Sequence, residues 1–414
     1  MDRQVPPPAQ TYKLSIPRWE FIALAAALMA LNALAIDIML PGLQEIGASL
    51  GVENENHRQY VITAYLAGFG AAQLFFGPLS DRFGRRGPLL AGLFIYMAAS
   101  VGAAFAPTFE ALLIMRAVQG VGAAATRVIT VSIVRDVFGG RTMAEVMSLV
   151  FMVFMVIPVV APGIGQIVML FSEWHMIFVV MAVICLAFTI WSGLRLPETL
   201  HPEYRRAFDL RTIAGGFRIV LTNRISLCYM LATTSIFGAL FGFINSAQQV
   251  YVGIYGLGVW FPVIFAVVAG MMAVSSFANS RLVGRFGMRK LSHGALLGFM
   301  SVTFLWLILS LFGQLPIYVF VPIFAAAMLQ FGWIGSNFNS IAMEPLGHLA
   351  GTASSVQGFT QTLGGGAIGT LIGQLFDGTT TPLAAGFCVV SVISLVFVLI
   401  AEKGRLFQAQ HVQQ

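Results

Sequence analysis

Twelve stretches of the chain are apolar for long enough to cross a lipid bilayer. They lie near residues 18–40, 59–79, 88–106, 111–134, 143–170, 174–195, 225–251, 257–278, 291–312, 316–339, 351–375 and 383–402. Spanning the hydrocarbon takes about 20 apolar residues per helix. In lipid every backbone N–H and C=O must be satisfied inside the segment, so such stretches fold as helices. Composition agrees: 58% of the 414 residues are hydrophobic and 10% are charged, against about 25% charged in a soluble domain. Too little polar surface remains for a soluble fold, and the chain is too apolar for disorder. The expected fold is an all-α integral membrane protein of 12 transmembrane helices.

Charge placement gives an orientation. Of the 23 Lys and Arg residues, only Arg58 falls in a loop on one side, and only Arg116 and Arg127 lie inside a span. The rest group at the opposite side, in the N-terminal segment, around 82–86, 135–141, 195–224 and 281–290, and at 403–405. The positive-inside rule makes that side cytoplasmic, with both termini on it. The formal net charge of +6 is thereby read as membrane topology, and no nucleic-acid partner is expected. Residues 1–17 hold Pro6, Pro7, Pro8 and Pro17 and no apolar core, so the first span is expected to stay as a membrane helix. Cys185, Cys228 and Cys388 sit in apolar stretches without a second ligand at metal spacing. They read as buried apolar residues.

The chain is duplicated. Residues 196–222, the longest polar segment, separate six spans from six. Gly77-Pro-Leu-Ser-Asp81-Arg82-Phe-Gly84-Arg85-Arg86 follows the second span, and Ser280-Arg-Leu-Val-Gly284-Arg285-Phe-Gly287-Met-Arg289 follows the eighth. Gly163 of the fifth span matches Gly366 of the eleventh at the same spacing. Six spans per half start both halves on the same side, giving parallel repeats about an axis normal to the bilayer. The expected units are an N-terminal bundle (1–195), a cytoplasmic linker loop (196–222) and a C-terminal bundle (223–414).

The loop 77–86 resembles the signature loop of the major facilitator superfamily. Arg116-Ala-Val-Gln119-Gly120-Val-Gly122 resembles the fourth-span motif of its drug:proton antiporters, and Pro158-Val-Val-Ala-Pro162-Gly163-Ile-Gly165 the fifth-span antiporter motif. Asp37-Ile-Met-Leu-Pro41, Arg135-Asp136 and Ala350-Gly-Thr-Ala-Ser-Ser355 resemble the Bcr/CflA multidrug-resistance branch. The resemblance implies two pseudo-symmetric six-helix bundles around a central cavity, worked by alternating access. It implies efflux of chloramphenicol- or bicyclomycin-type drugs across the bacterial inner membrane, with protons as the coupling ion, no other cofactor, and a monomeric chain. It also implies that the loop Gly77, Asp81, Arg82, Gly84, Arg85, Arg86 stabilises the outward-open state. Export of a sugar, amino acid or other metabolite stays open as an alternative. A membrane enzyme or receptor is the remote one, since the six His residues lie at span ends or in loops, without HExxH or a carboxylate cluster.

Individual residues point the same way. Asp37 is the acid placed within a span and approached by the apolar run 31–36. A carboxylate there is expensive unless it faces a cavity or sits at the interface. A nearby cation or desolvation can tune it to load and release a proton. Arg116 is at similar depth and is expected to pair with it. Arg127 lies about three helical turns further on the same face. Asn32, Tyr65, Gln73, Gln119, Asn245, Gln248, Gln330, Asn337, Gln357 and Gln361 are further polar groups in the spans. Each either bonds helices together or lines a shared cavity. Asp81 is expected to meet the N-terminus of the eleventh span, near Gly351-Thr352, and latch the two halves. Pro158 and Pro162 are expected to break backbone hydrogen bonds in the fifth span, and Gly163 and Gly165 to permit close approach.

Overall fold

The computed structural model describes residues 16–138, 140–205 and 210–408, and the side chains of 140–141, 144, 148, 151–155, 204, 210–213, 216–217 and 347–352 are not among those described. The chain is helical, with no strand among the described residues. The first half comprises α1 (Arg18–Asp37), the short α2 (Leu43–Ser49), α3 (Tyr60–Phe83), α4 (Arg86–Ala104), α5 (Phe109–Val137), α6 (Gly140–Phe171) and α7 (His175–Arg195). After α8 (Leu210–Thr222), the second half comprises α9 (Arg224–Gln248), α10 (Phe261–Phe286), α11 (Met288–Leu311), α12 (Ile317–Met343), α13 (Ala350–Phe359), α14 (Gly365–Gln374) and α15 (Thr381–Ala401).

Among the described residues, ten helices are long and apolar enough to span a membrane. The other two expected spans are also helical. α6 runs 32 residues and its described apolar part is Val156–Phe171. The eleventh span is α13 and α14 joined by a π-turn at Thr360–Gly364. A second π-turn, Gln249–Ile254, extends α9. Pro158 and Pro162 both lie inside α6, which runs through them as one helix, and each lacks the N–H that an interior helix position would donate. The linker 196–222 is also not loop throughout, since it contains α8.

Short polar residues start several helices. Thr108 accepts the Ala111 N–H at α5, and Asn223 the Ser226 N–H at α9, each satisfying a donor the helix leaves unbonded. Large apolar side chains face outward: Phe94, Phe277 and Leu371 are exposed, as suits lipid contact. Cys185, Cys228 and Cys388 are free and buried.

The packing repeats. α3 lies on α5, α4 on α5 and on α7, and α1 on α6. In the second half α10 lies on α12, α11 on α12 and on α15, and α9 on α14. These are the same pairs moved by six spans. The two signature loops share a backbone shape: Gly84 has φ +92° and Gly287 φ +81°, a region that favours glycine. The halves meet along α3 against α13 and α14, and along α6 against α10. Gly70 and Gly358 allow this approach. A Cβ on Gly70 would come within 3.1 Å of the Leu363 backbone, and one on Gly358 within 2.6 Å of Gln73 Oε1.

Candidate functional site

Asp37 ends α1 and is buried, at 3% exposure. Its Oδ1 has no hydrogen-bond partner. Gly165 of the fifth-span motif closes over the next residue, since a Cβ there would fall 1.8 Å from the Ile38 carbonyl oxygen. α6 can therefore press against the end of α1 only because position 165 lacks a side chain. Pro162 is buried in the same helix, Pro158 is half-buried, and a Cβ on Gly163 would meet open space.

Arg116 is fully buried in α5. Its Nε donates to the Val61 carbonyl at 3.1 Å, Nη2 to the Ala35 carbonyl at 3.0 Å, and Nη1 to Gln119 Oε1. The guanidinium lies 4.6 Å from the Tyr65 ring centre. The expected Arg116–Asp37 ion pair is not formed in this conformation, because the donors are taken by carbonyls and Gln119. The anchor to Ala35 nevertheless holds the cation two residues from Asp37 along α1. Gly120 supports this arrangement: a Cβ there would fall 2.2 Å from the Tyr65 carbonyl oxygen. Arg127 is half-buried and lies over the Phe69 ring at 5.9 Å.

The amides divide between the two readings. Asn32 donates to Thr126 Oγ1 at 3.0 Å, joining α1 to α5. Gln119 donates to Ser100 Oγ at 2.7 Å, inside the first bundle. Asn337 donates to Asn279 Oδ1 at 2.7 Å. Gln357 and Gln361 both donate to Asn339 Oδ1. Gln330 faces Gly298 of α11. All of these contacts stay within one bundle. Gln73 crosses between bundles, donating to Thr362 Oγ1 at 3.0 Å, and Gln248 crosses to Gln44 at 3.2 Å. Asn245 is 1% exposed and neither of its amide atoms has a partner. Tyr65 Oη is likewise buried and unpartnered.

At the Arg-rich end, Arg85 is the hub of the signature loop. It pairs with Asp81 at 2.5 Å and Asp136 at 2.8 Å and donates to Ser80 Oγ. Burial works against its charge, but the Asp136 and Asp81 carboxylates more than offset this and raise its pKa above the ordinary value. Glu198 caps the start of α4, accepting the N–H groups of Arg85 at 2.8 Å and Arg86 at 3.2 Å. It also explains Gly84, where a Cβ would lie 2.4 Å from Glu198 Oε2. Arg86 donates to the Gly193 carbonyl, Arg82 stacks over Phe83, and Gly77 lies near Ser355. Asp81 thus has its described ion pair with Arg85. The expected contact at Gly351-Thr352 involves side chains outside those described.

Glu198 and its counterpart Glu402 escape a reading of motifs. Their one signal is position: each follows the last helix of its half, at nearly the spacing that relates the two loops.

Truncating the two intraspan arginines has unequal effects. Arg116→Ala removes bonds to the Val61 and Ala35 carbonyls and leaves the buried Gln119 amide oxygen without its donor, a loss of roughly 1–3 kcal/mol. Arg127→Ala removes one ring contact worth about 0.5–2 kcal/mol. Thermal melts in detergent should fall clearly further for Arg116→Ala. Equal melts would show that the Arg116 contacts carry no stability.

The sequence model described as the Major Facilitator Superfamily matches residues 22–370. A Haemophilus influenzae protein named bicyclomycin resistance protein homolog is 32% identical over 384 residues, covering 91% of this chain and 95% of its own length. Multidrug resistance protein MdtL of Escherichia fergusonii is 30% identical over 386 residues, covering 93% and 96%. The E. coli xylose transporter XylE, in a partially occluded inward-open conformation, aligns at TM-score 0.73 and 13% identity, over 93% of this chain and 97% of that one. The human organic anion transporter MFSD10 aligns at 0.66 and 17%, over 94% and 100%. At those identities the two structures speak to the fold alone. With the family match spanning most of the chain and the helices packed as two repeated bundles, the protein is a multi-pass membrane transporter of the major facilitator superfamily, and not an enzyme.

Proposed function

We propose that the chain expels small amphipathic drugs of the chloramphenicol or bicyclomycin type across the bacterial inner membrane in exchange for protons. The bundles rock about the seam of α3 with α13–α14 and α6 with α10, and both termini face the cytoplasm. Relatives named for bicyclomycin and multidrug resistance support the substrate class. Proton coupling rests on one observation: a buried carboxyl with an unpartnered oxygen, Asp37, stands two residues from the backbone anchor of a buried cation, Arg116.

In this scheme Asp37 carries the proton and Arg116 sets its affinity. A carboxyl away from any cation holds a proton, and one that meets a cation gives it up. Drug entering the cavity moves Arg116 relative to α1 and exchanges one state for the other. Asn245, Gln248, Gln73, Tyr65 and Arg127 supply polar contacts to the cavity. The two bundles of a single monomer form the whole moving interface.

The test is flux. Purified protein in liposomes, given an imposed pH gradient, should move chloramphenicol or bicyclomycin against its concentration gradient. Expression in a pump-deleted bacterial host should raise resistance to the same compounds. Movement of a sugar or amino acid but no drug would transfer the reading to metabolite export, and flux indifferent to the pH gradient would remove the antiport.

The loop hub gives a second expected result. Asp81→Asn removes one of the two carboxylates on Arg85, while Asp136 keeps the guanidinium in place. Efflux should fall about two- to fivefold at unchanged expression, the scale of a part-exposed ion pair. Unchanged efflux would make Asp81 a marker of topology only.

A further inference from the structure

The end of the molecule opposite the Arg-rich loops is closed by side chains that carry no charge. Gln59, buried just before α3, donates through Nε2 to Gln249 Oε1 at 2.5 Å and to the Gly373 carbonyl at 3.0 Å. Gln249 donates to Asn56 Oδ1 at 2.7 Å. Asn56 donates to the carbonyls of Gln374 at 3.1 Å and Phe376 at 2.9 Å, and Gln374 returns a bond to the Asn56 carbonyl at 2.7 Å. Thr63 and Thr370 share a hydroxyl bond at 2.8 Å one turn deeper. Every one of these bonds joins the first half to the second.

The fit at the centre is close. A Cβ on Gly373 would fall 2.0 Å from Gln59 Oε1 and 3.2 Å from Asn245 Cβ. Gly373 sits in α14, where alanine would otherwise be the better helix residue. A methyl at position 373 would have to displace the Gln59 amide from its place across the interface.

The charged groups nearby are engaged elsewhere. Arg58 pairs with Glu55 at 3.5 Å, and the Asp377 carboxylate takes the Thr379 N–H and hydroxyl. Glu45 accepts the Trp174 N–H, and His57 stacks on Tyr60. None of them bonds to Gln59, Gln249, Asn56 or Gln374.

We infer that Gln59 and Gly373 are the positioning pair of an outer gate built from neutral amides, which closes the transport path without a protonation step. The inference rests on the transport reading and on the outward assignment of this end. It separates two parts of the cycle: pH acts at the buried site near Asp37, and the outer closure responds only to how the bundles dock.

The experiment reads access from outside. Leu66, 1% exposed and packed near Gly366, lies about 10 Å of helix rise below Gln59. Leu66→Cys in the full-length chain, in intact cells, is labelled with an impermeant thiol reagent, and the parent with its three buried cysteines supplies the blank. Adding Gln59→Ala should speed labelling about tenfold, by releasing bonds that hold the closed state. Gln249→Ala, which removes the partner on the other half, should do the same. Gly373→Ala should also speed it. The Gly373→Ala/Gln59→Ala double variant should label no faster than Gln59→Ala, because the obstacle met by the new methyl is gone. The pH profile of drug flux should keep its midpoint in all three single variants.

Parent-like labelling in both Gln59→Ala and Gln249→Ala overturns the gate. So does a double variant whose effect is the product of the singles, or a moved pH midpoint. Ser49→Cys, exposed at the same end, reports orientation: if it is shielded from outside while Glu203→Cys is labelled, the topology fails and the outward assignment falls with it. Labelled Ser49→Cys with a parent-like gate would sink the gate alone.

Discussion

Asp37→Asn should abolish drug movement against a gradient while leaving drug exchange down a gradient in place. The variant keeps the shape and hydrogen-bonding capacity of the side chain and removes only its ability to take and release a proton at ordinary pH. Asp37 Oδ1 has no hydrogen-bond partner in this conformation, so the substitution breaks no bond at that oxygen, and the fold should tolerate it. If one proton is exchanged per neutral drug molecule, each pH unit supports about a tenfold drug gradient, since a pH unit is worth about 1.36 kcal/mol. In the parent the drug gradient should therefore track the imposed pH step. In Asp37→Asn it should collapse to unity at every step, with equilibrating flux retained. The matching measurement in detergent is proton release on adding drug, taken from about pH 6 to pH 9, across the range where a perturbed carboxyl or a histidine would titrate. Release equal to that of the parent would place the proton carrier elsewhere in the chain.

How much of this is visible in a sequence depends on how local the physical cause is. The spans are legible because each must bury about 20 apolar residues in lipid, whatever its neighbours do. The duplication is legible because Gly84 and Gly287 both need a backbone that favours glycine, and both loops carry arginines on one side of the membrane. Asp37 stands out because an acid inside a span has few inexpensive explanations. Its surroundings are not legible. Nothing local to Arg116 tells that its donors go to Val61 and Ala35, carbonyls 55 and 81 residues away. The amides show the same limit. Gln119, Asn337 and Gln357 look alike as sequence, yet they bond within a bundle, whereas Gln59 and Gln73 bond across the seam. The π-turn at Thr360–Gly364 and the helix α8 inside the polar linker also arise from packing. α8 contributes Val220 to a small apolar cluster with Met230, Leu346, Ala353 and Val356, so the linker is tied to the start of the eleventh span. Polar composition alone reads as loop because it reports solvent exposure and not which few apolar residues find a partner.

A large loss of stability should come from Arg289→Ala, far from the proposed transport path. Glu402, immediately after α15, is fully buried. Its Oε1 accepts Arg289 Nε at 2.7 Å and Tyr229 Oη at 2.7 Å. Arg289 also reaches Glu344 at 3.3 Å. His293 Nδ1 accepts the Phe407 N–H at 3.0 Å, so the neutral ring carries its proton on Nε2, which faces Tyr229 Oη at 2.8 Å. The donors then run in one direction, from Phe407 through His293 and Tyr229 to Glu402, and Arg289 is the cation bonded to the buried carboxylate. Removing it strands that charge, which costs about 3–5 kcal/mol. Arg195→Ala gives the contrast. Its partner Glu20 lies at 2.7 Å, but the Arg195 side chain is 47% exposed, and such pairs contribute about 0–1 kcal/mol. Arg289→Lys should recover only part of the loss, because an ammonium keeps the charge without the planar fork that reaches both Glu402 and Glu344. Arg289→Ala combined with Glu402→Gln should recover more, since no bare charge then remains inside. Thermal unfolding in detergent decides it: Arg289→Ala melting no lower than Arg195→Ala would show that water reaches Glu402 and that the cluster is not buried in the protein as it exists in solution.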